Sequence, residues 1–164
     1  MSERWPRNRD VIRLGALAGI CGSFVRNALE VLAVLLIPSY KSCARLAASL
    51  FLRPDYVMKR LDAYVVGLEI DFILGMAVGI AAVLVLSVWG LEGLLYKGAL
   101  GGAFTWFLFY AFLSADPLSA LDPTGTFLEA QVSLAIHILF GIAVVWSASL
   151  IDGRKENAAK NRRP

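Results

Sequence analysis

The chain has 164 residues, of which 58% are hydrophobic and only 18% charged, with a mean hydropathy of +0.65. Soluble domains run nearer half apolar and a quarter charged, so the composition argues for an integral membrane protein. The formal charge of +3 sits in the tails and one loop, as ordinary membrane-surface charge does, and gives no reason to invoke a nucleic acid.

A basic start, with Arg4, Arg7, Arg9 and Arg13, precedes a first apolar segment over about 11–37 that ends at Pro38. Basic-then-apolar patterning is shared with signal peptides, and the residues before Cys21 superficially resemble a lipoprotein processing site. Bulky Ile20 stands where a small residue is needed, and the apolar run continues to Ile37, so the segment reads as a retained span. The 39–62 stretch carries Lys41, Arg45, Arg53, Lys59 and Arg60 around a short apolar run, 46–52, that is too short to cross a bilayer. That run predicts a short interfacial helix broken at Pro54. A second segment follows at about 64–89, a tight turn at 90–93, and a third segment at about 94–113. The loop 114–125 holds Asp116-Pro117 and Asp122-Pro123, two turn signals, and no basic residue. A fourth segment, about 127–151, leads into a basic polar tail, 152–164. At 1.5 Å rise per residue each segment matches a hydrocarbon layer of about 30 Å.

The expected fold is therefore all-α: a single transmembrane bundle of four helices over 11–151, an interfacial helix after the first, and basic tails at 1–10 and 152–164. Basic tails and an acidic 114–125 loop place both termini in the cytoplasm, although the basic 39–62 loop then lies on the wrong side. Making the first segment a re-entrant hairpin only moves the violation to the C-terminal tail.

At 100° per residue each segment carries a stripe of small and polar residues. The first has Gly15, Gly19, Gly22, Ser23, Arg26, Glu30 and Ala33; the second Gly67, Asp71, Gly75 and Gly79; the third Gly98, Gly101, Gly102 and Thr105; the fourth Ser133, His137 and Gly141. Membrane helices associate through small residues that let backbones approach, so Gly15, Gly19, Gly75, Gly79, Gly98, Gly102 and Gly141 are candidate packing positions. They serve either packing within the chain or contact with a second copy or another membrane protein.

Arg26 and Glu30 lie four apart on one face near the middle of the first segment, a spacing that predicts a mutual ion pair. His137 falls at comparable depth on its own helix if the first and fourth segments run antiparallel, and Asp71 faces the same interior nearer the loop-side surface of the second segment. Two readings follow: a neutralised pair that fixes helix register, or a proton- or ion-handling centre formed by Arg26, Glu30, Asp71 and His137. Cys21 and Cys43 show no metal or disulfide spacing and read as free thiols. One histidine precludes a two-His metal site from a single chain, and neither a His-Glu-x-x-His, a Gly-x-Ser-x-Gly nor a phosphate-loop pattern occurs. No cofactor and no catalytic residue is expected.

The C-terminal half resembles the YqhR type of small conserved bacterial membrane protein. The resemblance rests on the run from Lys97 through Gly98, Gly101 and Gly102 to Trp106, the Asp-Pro loop with Thr124 and Thr126, and the run from His137 to Ile142. It implies a bacterial cytoplasmic membrane and assigns no active residue. The function expected on these grounds is a non-enzymatic accessory or scaffold protein working through helix contacts, with a small oligomeric transporter or ion pathway as the alternative. Its partners would be the lipid bilayer and, for either role, other copies or other membrane proteins.

Overall fold

The computed structural model describes residues 10–49, 51–53, 61–115 and 126–160, with 112–115 and 154–160 described by backbone alone. The described residues form five helices and no strand: α1 Val11–Leu36, α2 Cys43–Ser49, α3 Leu61–Trp89, α4 Leu94–Ala115 and α5 Phe127–Lys160. The N-terminal and C-terminal extremities and most of the expected acidic loop, including both Asp-Pro pairs, lie outside the described residues.

Local chemistry sets the helix limits. Asp10 caps α1 by accepting the Arg13 N–H at 2.9 Å, and Pro38 stands just beyond the last turn. Thr126 and Glu129 form a capping box at the start of α5: Glu129 accepts the Thr126 N–H at 2.9 Å, and Thr126 Oγ1 accepts the Glu129 N–H at 3.4 Å. Gly90 and Gly93 take left-handed φ values of 71° and 64° in the turn between α3 and α4. Lys97 Nζ closes that turn by donating to the Trp89 and Gly90 carbonyls at 2.8 and 3.0 Å.

Helices α1, α3 and the 127–153 part of α5 are long and apolar enough to cross a membrane. Helix α4 has 22 residues, its apolar character diluted by Tyr96, Lys97 and three glycines. Large apolar side chains such as Leu35, Val88, Phe104 and Phe107 face outward, as a lipid-facing surface requires.

Two glycine seams hold the helices. On α1 a Cβ at Gly19 would lie 2.1 Å from the Gly75 carbonyl oxygen, and one at Gly15 would strike the backbone of α3 at Gly79 and Ile80. On α4 a Cβ at Gly102 would lie 2.0 Å from the His137 carbonyl, and one at Gly98 would meet Gly141 and Ile142. These seams join α1 to α3 and α4 to α5, and α1 packs on α5 between them. In cross-section the order is therefore α3, α1, α5, α4. Although consecutive in sequence, α3 and α4 barely touch.

The short helix expected after the first is present as α2, and six of its seven residues are buried: it folds back onto α3 so closely that a Cβ at Gly67 would lie 1.9 Å from the Ala44 carbonyl oxygen. Its content of Ala, Cys and Ser explains the burial, because small side chains let a helix sit inside a bundle where an amphipathic face would not fit. The part of the fourth segment apolar enough to cross is 127–153, close to the expected 127–151, and its helix runs on to Lys160, with Asp152 buried.

Candidate functional site

The polar residues converge on one half of the bundle. Helix α1 contributes Ser23, Arg26, Asn27 and Glu30; α3 contributes Asp71; α4 contributes Tyr110; α5 contributes Ser133 and His137; and the start of α2 contributes Cys43. Glu30 and Ser23 are completely buried, and His137 is 1% exposed.

Within this cluster the partners differ from the intrahelical pair read from spacing. Arg26 forms its ion pair with Asp71 on α3, through a guanidinium N–H donated to Oδ1. Asn27 donates to the second carboxylate oxygen of Asp71 at 2.8 Å and to the Ser23 carbonyl at 2.9 Å. The Arg26 guanidinium also lies over the Phe140 ring, 4.7 Å from its centroid, where the ring face favours a cation. Glu30 turns instead to α2 and accepts the Cys43 backbone N–H at 2.8 Å, a placement that suits a carboxylate because the first N–H groups of a helix have no internal partner.

His137 Nδ1 lies 2.8 Å from the Ser133 carbonyl, which can only accept, so Nδ1 carries the proton. Its Nε2 is 3.9 Å from Cys43 Sγ. The hydroxyls of Tyr110 and Ser133 bond each other at 2.8 Å. Burial, reinforced by the nearby Glu30 carboxylate, pushes the Cys43 thiol well above its ordinary value, and burial raises Tyr40 likewise. Both cysteines are free thiols; Cys43 is buried and Cys21 faces outward.

The structure thus brings all four candidate polar residues into one region, with Arg26 bonded to Asp71, and Glu30 and His137 flanking Cys43. Asn27, Cys43 and Tyr110 were not singled out from sequence. Asn27 points 100° away from Arg26 on the helix wheel, and only the arrival of α3 makes it a partner of Asp71. All seven candidate packing glycines lie in the two seams. Among the described residues, no group of three His, Cys, Asp or Glu could hold a metal ion.

The other half of the bundle is apolar. Leu14 and Ala18 of α1, Val83 and Leu86 of α3, and Phe140, Val144 and Ala148 of α5 form a continuous buried core. Phe140 is fully buried between this core and Arg26 and closes the polar half from below. Between α3 and α4 a crevice opens sideways in two lobes, of about 240 and 300 Å3, which share Val78 on one wall and Thr105 on the other. The larger lobe reaches Arg26, Asp71 and His137 at its floor. No protein-family model matches the chain, and no curated protein or solved structure is significantly similar to it.

Proposed function

We propose that the chain is a four-span, non-enzymatic accessory protein of a bacterial cytoplasmic membrane, of the YqhR-like type, with both termini in the cytoplasm. The observation that carries the role is the division of the bundle into a polar half and an apolar half whose core holds no polar side chain. A pathway for protons or ions needs polar groups or water on both sides of the membrane. Here the polar chain from Ser133 through His137, Cys43 and Glu30 to Arg26 and Asp71 ends at Phe140, above the apolar core. In this reading the cluster works structurally: Asp71 and Arg26 fix α3 against α1, and Glu30 pins the buried helix α2. The glycine seams are taken up inside the chain, which leaves the outer faces of α3 and α4 for contact with other membrane components. Four spans are supported by the antiparallel seam of α4 against α5, which sets α4 at the same depth as a helix that is apolar enough to cross.

The test is flux into liposomes containing purified protein under proton, sodium and potassium gradients, comparing wild type with Glu30→Gln. The accessory role expects no flux from either protein. Wild-type flux that disappears in Glu30→Gln, with helicity intact by circular dichroism, would replace it with the ion-pathway alternative.

A further inference from the structure

We infer that the crevice between α3 and α4 is a binding site for a neutral, membrane-dissolved lipid whose carbonyl or hydroxyl head meets Arg26. The inference builds on the accessory role and names what such a protein would engage.

Shape limits the occupant first. Helices α3 and α4 are joined by only residues 90–93, so they cannot separate at that end far enough to admit a third helix about 10 Å across. A lipid chain fits between them. The crevice follows α3 from Asp71 to Leu86, about 22 Å by helical rise, with walls of Val78, Leu74, Phe104 and Leu108. Its combined volume lies in the range of small-molecule sites.

Charge limits the head next. Arg26 is already neutralised by Asp71, and Lys97, which lines the smaller lobe, donates to the Trp89 and Gly90 carbonyls at the turn, so a charged head gains no free counter-charge at the Arg26 end. Burying a further charged head at this depth would be costly. Arg26 lines the larger lobe, is 5% exposed, and its Nε has no hydrogen-bond partner among the described residues. That N–H is itself buried, and a turn of the guanidinium towards the lobe that Arg26 lines would let it donate to an uncharged oxygen. Quinones, isoprenoid alcohols and diacylglycerols share this chemistry, because their heads enter the hydrocarbon layer.

A fold-neutral way to block the site exists. Gly101 lines the crevice, and a Cβ placed on it would meet nothing within 4 Å. Gly101→Leu therefore fills the space without disturbing either seam. The experiment uses full-length protein in nanodiscs, with native Trp106, next to the crevice-lining Thr105, read as the difference from Trp106→Phe and quenched by dibrominated oleyl alcohol, the matching fatty acid and the matching amine. Saturable quenching by the alcohol is expected, about tenfold tighter than by the acid or amine, whose charge must be stripped of water at that depth. Gly101→Leu should abolish the saturable component, and Arg26→Lys should weaken it about tenfold. Quenching that rises only in proportion to bulk lipid, that favours the acid or amine, or that survives Gly101→Leu would overturn the inference. Failure here is a binding result, whereas failure of the accessory role is an ion flux, so the two are told apart.

Discussion

Substituting Asp71 by Asn removes one charge while keeping the side chain's shape, and it tests the interhelical pair directly. Arg26 and Asp71 are both more than nine-tenths buried. At an effective dielectric of about 20, unit charges roughly 4 Å apart attract by about 4 kcal/mol. Breaking a buried pair by removing one partner typically costs about 3–5 kcal/mol, since the other charge is left uncompensated. One residue softens the loss: Asn27 stays beside position 71 as a hydrogen-bond partner. The expected cost is therefore about 3 kcal/mol, at the lower end of that range. The double substitution Arg26→Met with Asp71→Leu leaves no charge to strand and should return to within about 1 kcal/mol of wild type. Reversible unfolding in bicelles, completed as a double-mutant cycle, measures each value. A cost below about 1 kcal/mol for Asp71→Asn, or a double variant as unstable as the sum of the singles, would refute the pairing.

Three further outcomes follow from the same geometry. Gly19→Ala forces a methyl against the Gly75 carbonyl and should cost about 2 kcal/mol or more in the same unfolding assay, whereas Gly101→Ala meets open space and should be neutral or gain up to about 1 kcal/mol. Tyr110→Phe deletes one buried hydroxyl bond and should cost about 0.6 kcal/mol, the typical value for a polar contact between membrane helices. The Cys43 thiol, buried and held protonated above its ordinary range, should resist alkylation by iodoacetamide at pH 8 in the folded protein and react on unfolding, as followed by mass spectrometry; rapid modification in the folded state would contradict its burial.

Much of the fold was legible because membrane helices announce themselves by length and composition. The helix starts at Val11, Leu94 and Phe127 coincide with the segment starts read from sequence, and all seven candidate packing glycines lie in a seam, whereas the stripe glycines Gly22, Gly67 and Gly101 do not. Spacing along one helix could show that Arg26 and Glu30 share a face. It could not show that Asp71, 45 residues away, would arrive closer to Arg26 than Glu30 does. The burial of α2 was illegible for a related reason: seven residues of Ala, Leu, Ser, Cys and Arg give no sign of it until the neighbouring helices are seen to leave room for them. The lateral crevice was invisible, since it arises from which glycine face each of α3 and α4 turns towards its partner.

The separation of Arg26 from Asp71 along the chain bears on how the protein is made. When α1 leaves the ribosome and meets the membrane, the carboxylate that will neutralise its arginine has yet to be synthesised, and α2, the anchor for Glu30, has just followed it. Each charge near the centre of a helix costs on the order of 3 kcal/mol during insertion. The first helix is thus a reluctant entrant that depends on its successors. A nascent chain cut after Pro38 should integrate inefficiently in a glycosylation-mapping assay, and one extended through Trp89 should integrate well.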